Sequence, residues 1–232
     1  HKYYVLSQPT VSDYEFDLLL KELEQLENQF PVLKLPDSPS QRIGGEPTKE
    51  FVSVKHKYPM LSLSNSYSEA EITDFDNRVR KLISGNEIEY VCELKYDGVA
   101  IGLTYKNGLL VQAVTRGDGI QGDDVTANVK TIRSIPLRLQ GNYPDELEIR
   151  GEIFMSLKGF QKLNAEREEI GETPFANPRN SASGTLKMLD PTVVAKRPLD
   201  CFLYYLPGES LHYKTHYQSL KFAEQLGFKV SK

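Results

Sequence analysis

The 232 residues carry 28 lysines and arginines against 32 aspartates and glutamates, a formal net charge of −4, with 39% hydrophobic and 26% charged side chains. Such a chain can bury a core, lacks the composition of a disordered segment or a fibre, and cannot bind nucleic acid through bulk positive charge, which leaves only local patches. No run approaches the roughly 18 apolar residues that cross a bilayer. The opening His1-Lys2-Tyr3-Tyr4 has none of the apolar stretch of a signal peptide, so a cytoplasmic protein with no membrane contact is expected.

Residues 1–50 hold five basic side chains (Lys2, Lys21, Lys34, Arg42, Lys49) and nine acidic ones, so the whole net charge lies there; residues 51–232 hold 23 of each. Ser12 followed by Glu15 is a capping box, and Leu18, Leu19, Glu22, Leu23, Leu26 and Phe30 continue a helix from Asp13 until Pro31 and the Pro36-Asp37-Ser38-Pro39 cluster end it. Gly44-Gly45-Glu46-Pro47 reads as a linker, which puts a domain boundary near residue 50 after a helical unit too small to bury much core alone. A second capping box, Ser68 with Glu71, opens a helix carrying Ile72, Phe75, Val79, Leu82 and Ile83. Strands are expected at Tyr90 to Leu94, Val99 to Tyr105 and Leu109 to Thr115, the last two joined by Asn107-Gly108, a strong hairpin signal. Further strands are read at Leu147 to Phe154 and Leu199 to Leu206, and helices at Leu157 to Glu169 and Tyr217 to Leu226 with Gly227 as the stop. Antiparallel strands with helices packed outside define an α+β class. Cys92 and Cys201 fit neither a disulfide framework nor a four-ligand zinc site and are read as small core residues.

The chemistry-bearing strings are Cys92-Glu93-Leu94-Lys95-Tyr96-Asp97-Gly98, Arg116-Gly117-Asp118-Gly119 and Arg150-Gly151-Glu152. Taken singly, Lys95 reads as an exposed hairpin lysine, and Arg116 or Glu152 as half of a surface ion pair. Read with "MLSLSN" before them and "FANPRNSASGTLK" after, in this order, they resemble the covalent nucleotidyltransferases. The set is most similar to the NAD-dependent bacterial DNA ligases, and the likeness extends over nearly the whole chain. The N-terminal string "YYVLSQPTVSDYEFD" is peculiar to the NAD-dependent branch.

That resemblance implies a small N-terminal helical subdomain, residues 1–50, that binds nicotinamide mononucleotide (NMN). It implies next an antiparallel-sheet-rich, ATP-grasp-like nucleotidyltransferase (adenylation) domain over residues 51–232. Lys95 would attack the α-phosphorus of NAD to form lysyl-AMP and expel NMN, which requires a neutral amine. Asp97 would orient the amine or the ribose. Glu93 would accept from the adenine amino group, Ser62 and Leu63 would line the adenine pocket, and Arg116 and Glu152 would surround the AMP ribose and phosphate. Tyr3 and Tyr4 would border the nicotinamide, and Asp13 and Asp17, four apart on one helix face, would bind its ribose or balance its ring charge; Tyr14, Glu15 and Phe16 complete that segment. Phe16 stands where the family has tyrosine, which removes a hydroxyl. Lys187 stands where arginine is common, which loses bidentate phosphate geometry. Arg179 and Lys187 are the candidates for contact with the phosphates of nicked duplex DNA. Magnesium is implied as a cofactor, and no metal ligands are read in the chain itself.

The family's D-G-x-V-x-K string and its later lysine do not occur here, so the chain is read as C-terminally truncated, slow or inactive in self-adenylation, and monomeric. The zinc site of the intact family needs four cysteines and is not expected. Two alternatives stay open: an ATP- or GTP-using RNA ligase or capping-type enzyme, and a non-catalytic NAD-binding interaction domain.

Overall fold

A computed structural model describes residues 10–42, 50–83, 87–208 and 213–231, the side chains of Asp13, Tyr14 and Asp17 excepted. Helix α1 (Asp13–Gln29) begins at the expected capping box, with the Ser12 hydroxyl accepting from the Glu15 amide and the Glu15 carboxylate accepting from Ser12. Short 3-10 turns follow at Pro31–Leu33 and Pro39–Arg42. Strand β1 (Ser53–Lys55) precedes α2 (Glu69–Leu82), which starts at the second capping box and buries none of its residues.

The body of the molecule is an antiparallel four-stranded sheet in the order β3-β2-β5-β6, formed by β2 (Val99–Lys106), β3 (Leu109–Thr115), β5 (Glu146–Met155) and β6 (Leu199–Tyr205). A small second sheet pairs β1 with β4 (Gln121–Asp123). Asn107 and Gly108 both take positive φ, 49° and 76°, which suits the two-residue turn between right-twisted strands. A bulge near Thr104 and Tyr105 then shifts the β2/β3 register.

Strand side chains alternate between faces, so the register sorts the residues. Ile101, Leu103 and Tyr105 lie opposite Gly151, Ile149 and Leu147, and this face carries the core. Helices α3 (Thr126–Lys130), α5 (Pro178–Leu186) and α7 (His216–Gln225) bring Val129, Leu186 and Ala223 onto it. Met155 joins a smaller cluster with Leu163 of α4 (Leu157–Glu169) and Ala182 of α5, while α6 (Pro191–Ala195) contributes buried Val194. The opposite face presents Gly102, Thr104, Glu148, Arg150 and Glu152, and it is on this polar side that the candidate site is built.

The helical N-terminal part meets the sheet domain through charge. The Arg42 guanidinium donates to the carbonyls of Lys130, Ile132 and Ile135 at 3.1, 2.9 and 2.8 Å, and Arg138 pairs with Asp37.

Two expectations are corrected. Residues 87–97 form no strand: Tyr90, Val91 and Leu94 are exposed, and without a neighbouring ladder an apolar run does not hold as β structure. Cys92 is therefore exposed, whereas Cys201, on the core face of β6, is buried as expected.

Candidate functional site

Lys95 lies in the irregular segment just before β2, and side chains rather than a ladder hold that segment. Tyr96 stacks on Phe202 at 4.4 Å and on Phe154 at 5.7 Å between ring centroids, and its hydroxyl lies 2.9 Å from Ser231 Oγ. Lys229 covers Phe202 from 4.9 Å. Two residues before the lysine, Glu93 meets His216 Nε2 with both carboxylate oxygens, at 3.1 and 3.0 Å. Two residues after it, Asp97 accepts from Arg179 at 2.9 Å.

Gly98 completes the turn because no other residue fits. A Cβ there would sit 2.1 Å from the Ile153 carbonyl oxygen. This approach brings the Gly98 amide onto the Glu152 carboxylate, which is 9% exposed on the polar face of β5. Burial pushes the Glu152 carboxyl above the usual carboxylate range. The charge of Lys95, the Gly98 amide and Arg179 act in the opposite direction, and Asp97 adds to the rise. Tyr204 donates to Glu152, and burial with that neighbouring carboxylate raises its phenol to about 12. Lys95, Asp97, Glu152 and Arg179 thus form one electrostatic cluster around a buried carboxyl.

A second cluster follows the C-terminal end of β3, where the Arg116 amide donates to the Ala100 carbonyl near the start of β2. The Arg116 guanidinium donates to Ser62 Oγ at 3.2 Å, and the Arg116 carbonyl accepts from His56 Nε2 at 3.0 Å. The Arg116-Gly117-Asp118-Gly119 string is shaped by Asp118, whose Oδ1 accepts from the amides of Ile120 and Gln121; these bonds hold its carboxyl below the usual range. Gly119 then accepts from the Met60 amide at 2.8 Å, which seats residues 60–62 against this loop. Leu63 is 76% exposed.

Arg150 fixes the same segment from below. It is 7% exposed, pairs with Glu148 at 3.0 Å, and donates to the carbonyls of Tyr58 and Pro59. A groove of about 360 Å³ continues along this face between β1 and the Gly102–Lys106 end of β2, where Lys57 and Glu146 neutralise each other. It lies at the end of β2 away from the lysine and carries charges of both signs.

Of the remaining expected residues, Lys187 pairs with Asp123 at 2.8 Å, apart from Arg179. The "NPRNSASGTL" string is α5, capped by Asn177 with Pro178 in its first turn, so Arg179 projects from a helix start and not from a free loop. In α1, Glu15 is engaged by the cap, which lowers its carboxyl, and Arg133 lies 5.8 Å from the Phe16 ring centroid. Asp13 and Asp17 fall on α1 four residues apart. The side chains of Asp13, Tyr14 and Asp17, and all of Tyr3 and Tyr4, lie outside the described residues. Sequence reasoning missed Tyr204, the Tyr96–Phe154–Phe202 stack and His216. Only Tyr96 carried a signal, by standing inside the lysine string.

A lysine in the turn before β2, close enough to feel a buried carboxyl on the polar face of an antiparallel sheet, defines an adenylation-type domain when set beside known proteins. Residues 48–232 match the family described as the NAD-dependent DNA ligase adenylation domain, and residues 1–44 match the DNA ligase-like, N-terminal NAD+-binding domain. The chain is 57% identical over 230 residues to a protein named DNA ligase from Cytophaga hutchinsonii, covering 99% of this chain and 34% of the relative. It is 54% identical over 230 residues to one from Flavobacterium johnsoniae, with the same two shares, and 55% identical over 232 residues to one from Porphyromonas gingivalis, covering 100% of this chain and 35% of the relative. The chain belongs to the NAD-dependent DNA ligase family, and it spans about a third of the length of these curated relatives.

Proposed function

We propose that this chain is the NAD-binding part, bearing the adenylated lysine, of an enzyme that seals nicks in duplex DNA. The observation that carries the reading is the cluster of Lys95 with Asp97, Glu152 and Arg179 inside an NAD-dependent DNA ligase adenylation domain. The neutral Lys95 amine attacks the α-phosphorus of NAD; the new N–P bond forms as the P–O bond to NMN breaks, the amine proton leaves, and AMP stays on the lysine. Asp97 orients the amine or the ribose. Glu152 and Arg116 flank the sugar and phosphate, where fixed charges offset the transition state. Ser62 and Leu63 line the base pocket, and Glu93 accepts from the adenine amino group.

Residues 1–50 act as the NMN-binding unit through Tyr3, Tyr4, Asp13 and Asp17, and residues 51–232 as the adenylation unit. Family matches that break between residues 44 and 48 support this division. Arg179 and Lys187 meet DNA phosphates. Among the described residues no group of three or more histidines, cysteines or carboxylates gathers as a metal cage. Magnesium carried in on the substrate phosphates would supply charge neutralisation at the transferring phosphoryl. A monomer in the cytoplasm fits this role, and no helix among the described residues is long and apolar enough to cross a membrane.

The test is to incubate the chain with magnesium and either NAD or ATP labelled in the adenylate, and to measure NAD and NMN binding in parallel. The expected result is NMN binding that Asp17→Ala removes, with AMP transfer to Lys95 that is slow or absent, comes from NAD and not ATP where it occurs, and is lost in Lys95→Arg. Labelling from ATP would favour the RNA ligase or capping reading. Absence of both labelling and binding would refute the proposal.

A further inference from the structure

Glu93 is partly exposed to solvent and engaged by His216, and nothing in a strand ladder fixes it. Residues 87–97 have no sheet partner among the described residues, so the position of each side chain around Lys95 depends on its own contacts. For Glu93 that contact comes from 123 residues away. His216 is the first residue of α7, and the helix start that carries it is well built: Thr215 caps the Gln218 amide at 3.2 Å, and the His216 carbonyl accepts from Ser219 Oγ at 2.7 Å. The Tyr96–Ser231 contact ties the same segment to the chain beyond α7 at a second point.

We infer that His216 is a positioning residue for nucleobase selection, orienting the Glu93 carboxylate toward the 6-amino group of the purine; this rests on the reading of Glu93 as the base-contacting residue. The argument is one of donors and acceptors. An ionised carboxylate only accepts, through about four lone-pair sites. The Nε2–H of His216 shares one proton between the two oxygens, since both lie at nearly equal distance, and leaves other lone pairs free. A 6-amino purine can donate to them. A 6-oxo purine places its own acceptor there and is repelled. Free rotation of an untethered glutamate would blur that choice, because a half-exposed side chain disperses over several rotamers. With His216 holding it, the carboxylate presents one orientation without moving Lys95 itself.

The test compares binding of NAD with that of its hypoxanthine analogue, deamino-NAD, to the full chain, its His216→Ala and His216→Gln variants, and Glu93→Gln, with thermal melts of each. His216→Ala is expected to weaken NAD binding roughly tenfold while deamino-NAD changes less than about twofold. His216→Gln, which keeps an N–H donor, should restore most of the preference, and Glu93→Gln should erase it. If His216→Ala weakens both nucleotides equally, or leaves NAD binding intact while Glu93→Gln erases the preference, the positioning role falls and the base-contact reading survives. If Glu93→Gln leaves the preference intact, or the parent chain shows none, the base-contact reading itself falls and takes this inference with it.

Discussion

Arg150→Met tests the structural logic of the polar face most directly. The guanidinium is 7% exposed, its partner Glu148 carries a side chain only 12% exposed, and the pair is closed at 3.0 Å from Nη2 and 3.1 Å from Nε. Arg150 also donates to the carbonyls of Pro59, at 2.8 Å, and Tyr58. Removing it strands a buried carboxylate and two carbonyls at once, and losing one partner of a buried pair costs about 3–5 kcal/mol. For a chain of this size each kcal/mol lowers the melting temperature by about 2–4 °C, so a fall of about 6–20 °C follows. Circular-dichroism melts and urea titrations measure it. Hydrogen exchange at the Met60 amide, which donates to Gly119 at 2.8 Å, should accelerate as residues 58–62 loosen from the Arg116 loop. The double variant with Glu148→Leu removes the orphaned charge and should recover most of the loss. A single variant within about 1 kcal/mol of the parent, or a double variant no better than the single, would refute the claim that this pair clamps the segment.

Gly98→Ala should destabilise the chain by at least about 2 kcal/mol in urea titration, because its Cβ meets the Ile153 carbonyl oxygen at 2.1 Å and must push the Lys95 turn off β5. Glu152 has a carboxyl raised in the folded state by burial, so its favourable contribution is present at acid pH, below the unfolded value, and is lost as pH rises through the folded value. Glu152→Gln is therefore expected to be more stable than the parent at pH 7.5 and to match it near pH 4; urea titrations at the two pH values would show the reverse if partner charges outweighed burial. Tyr105→Phe removes a fully buried hydroxyl that donates to the Pro136 carbonyl at 2.7 Å, which should cost about 1–2 kcal/mol by thermal melt, with the sheet otherwise unchanged.

Much of the architecture was legible because its determinants are local. Ser12 with Glu15 and Ser68 with Glu71 both close as capping boxes, Asn107-Gly108 turns the β2/β3 hairpin, and α4 spans Leu157 to Glu169 as its spacing predicts. The expected strand at Tyr90 to Leu94 did not form, since a strand is specified by its neighbours as much as by its own residues. Within the site, Lys95, Asp97 and Glu152 could be picked out from their strings, whereas Tyr204 and His216 stand in ordinary strand and helix-start contexts with nothing to mark them.

The residue strings by themselves determined the family and the class of fold and singled out Lys95 as the candidate nucleophile, because turn glycines, caps and chemically odd charges are encoded within a few neighbouring positions. Only the tertiary structure decided that Glu152 is buried, that Arg179 faces Asp97, that Arg150 clamps Tyr58 and Pro59 and that His216 reaches Glu93. Each of those facts joins residues from 82 up to 123 positions apart or depends on what covers a face, or both. Electrostatic environment is a property of packing, and packing at such separations is not written in any one stretch of the chain.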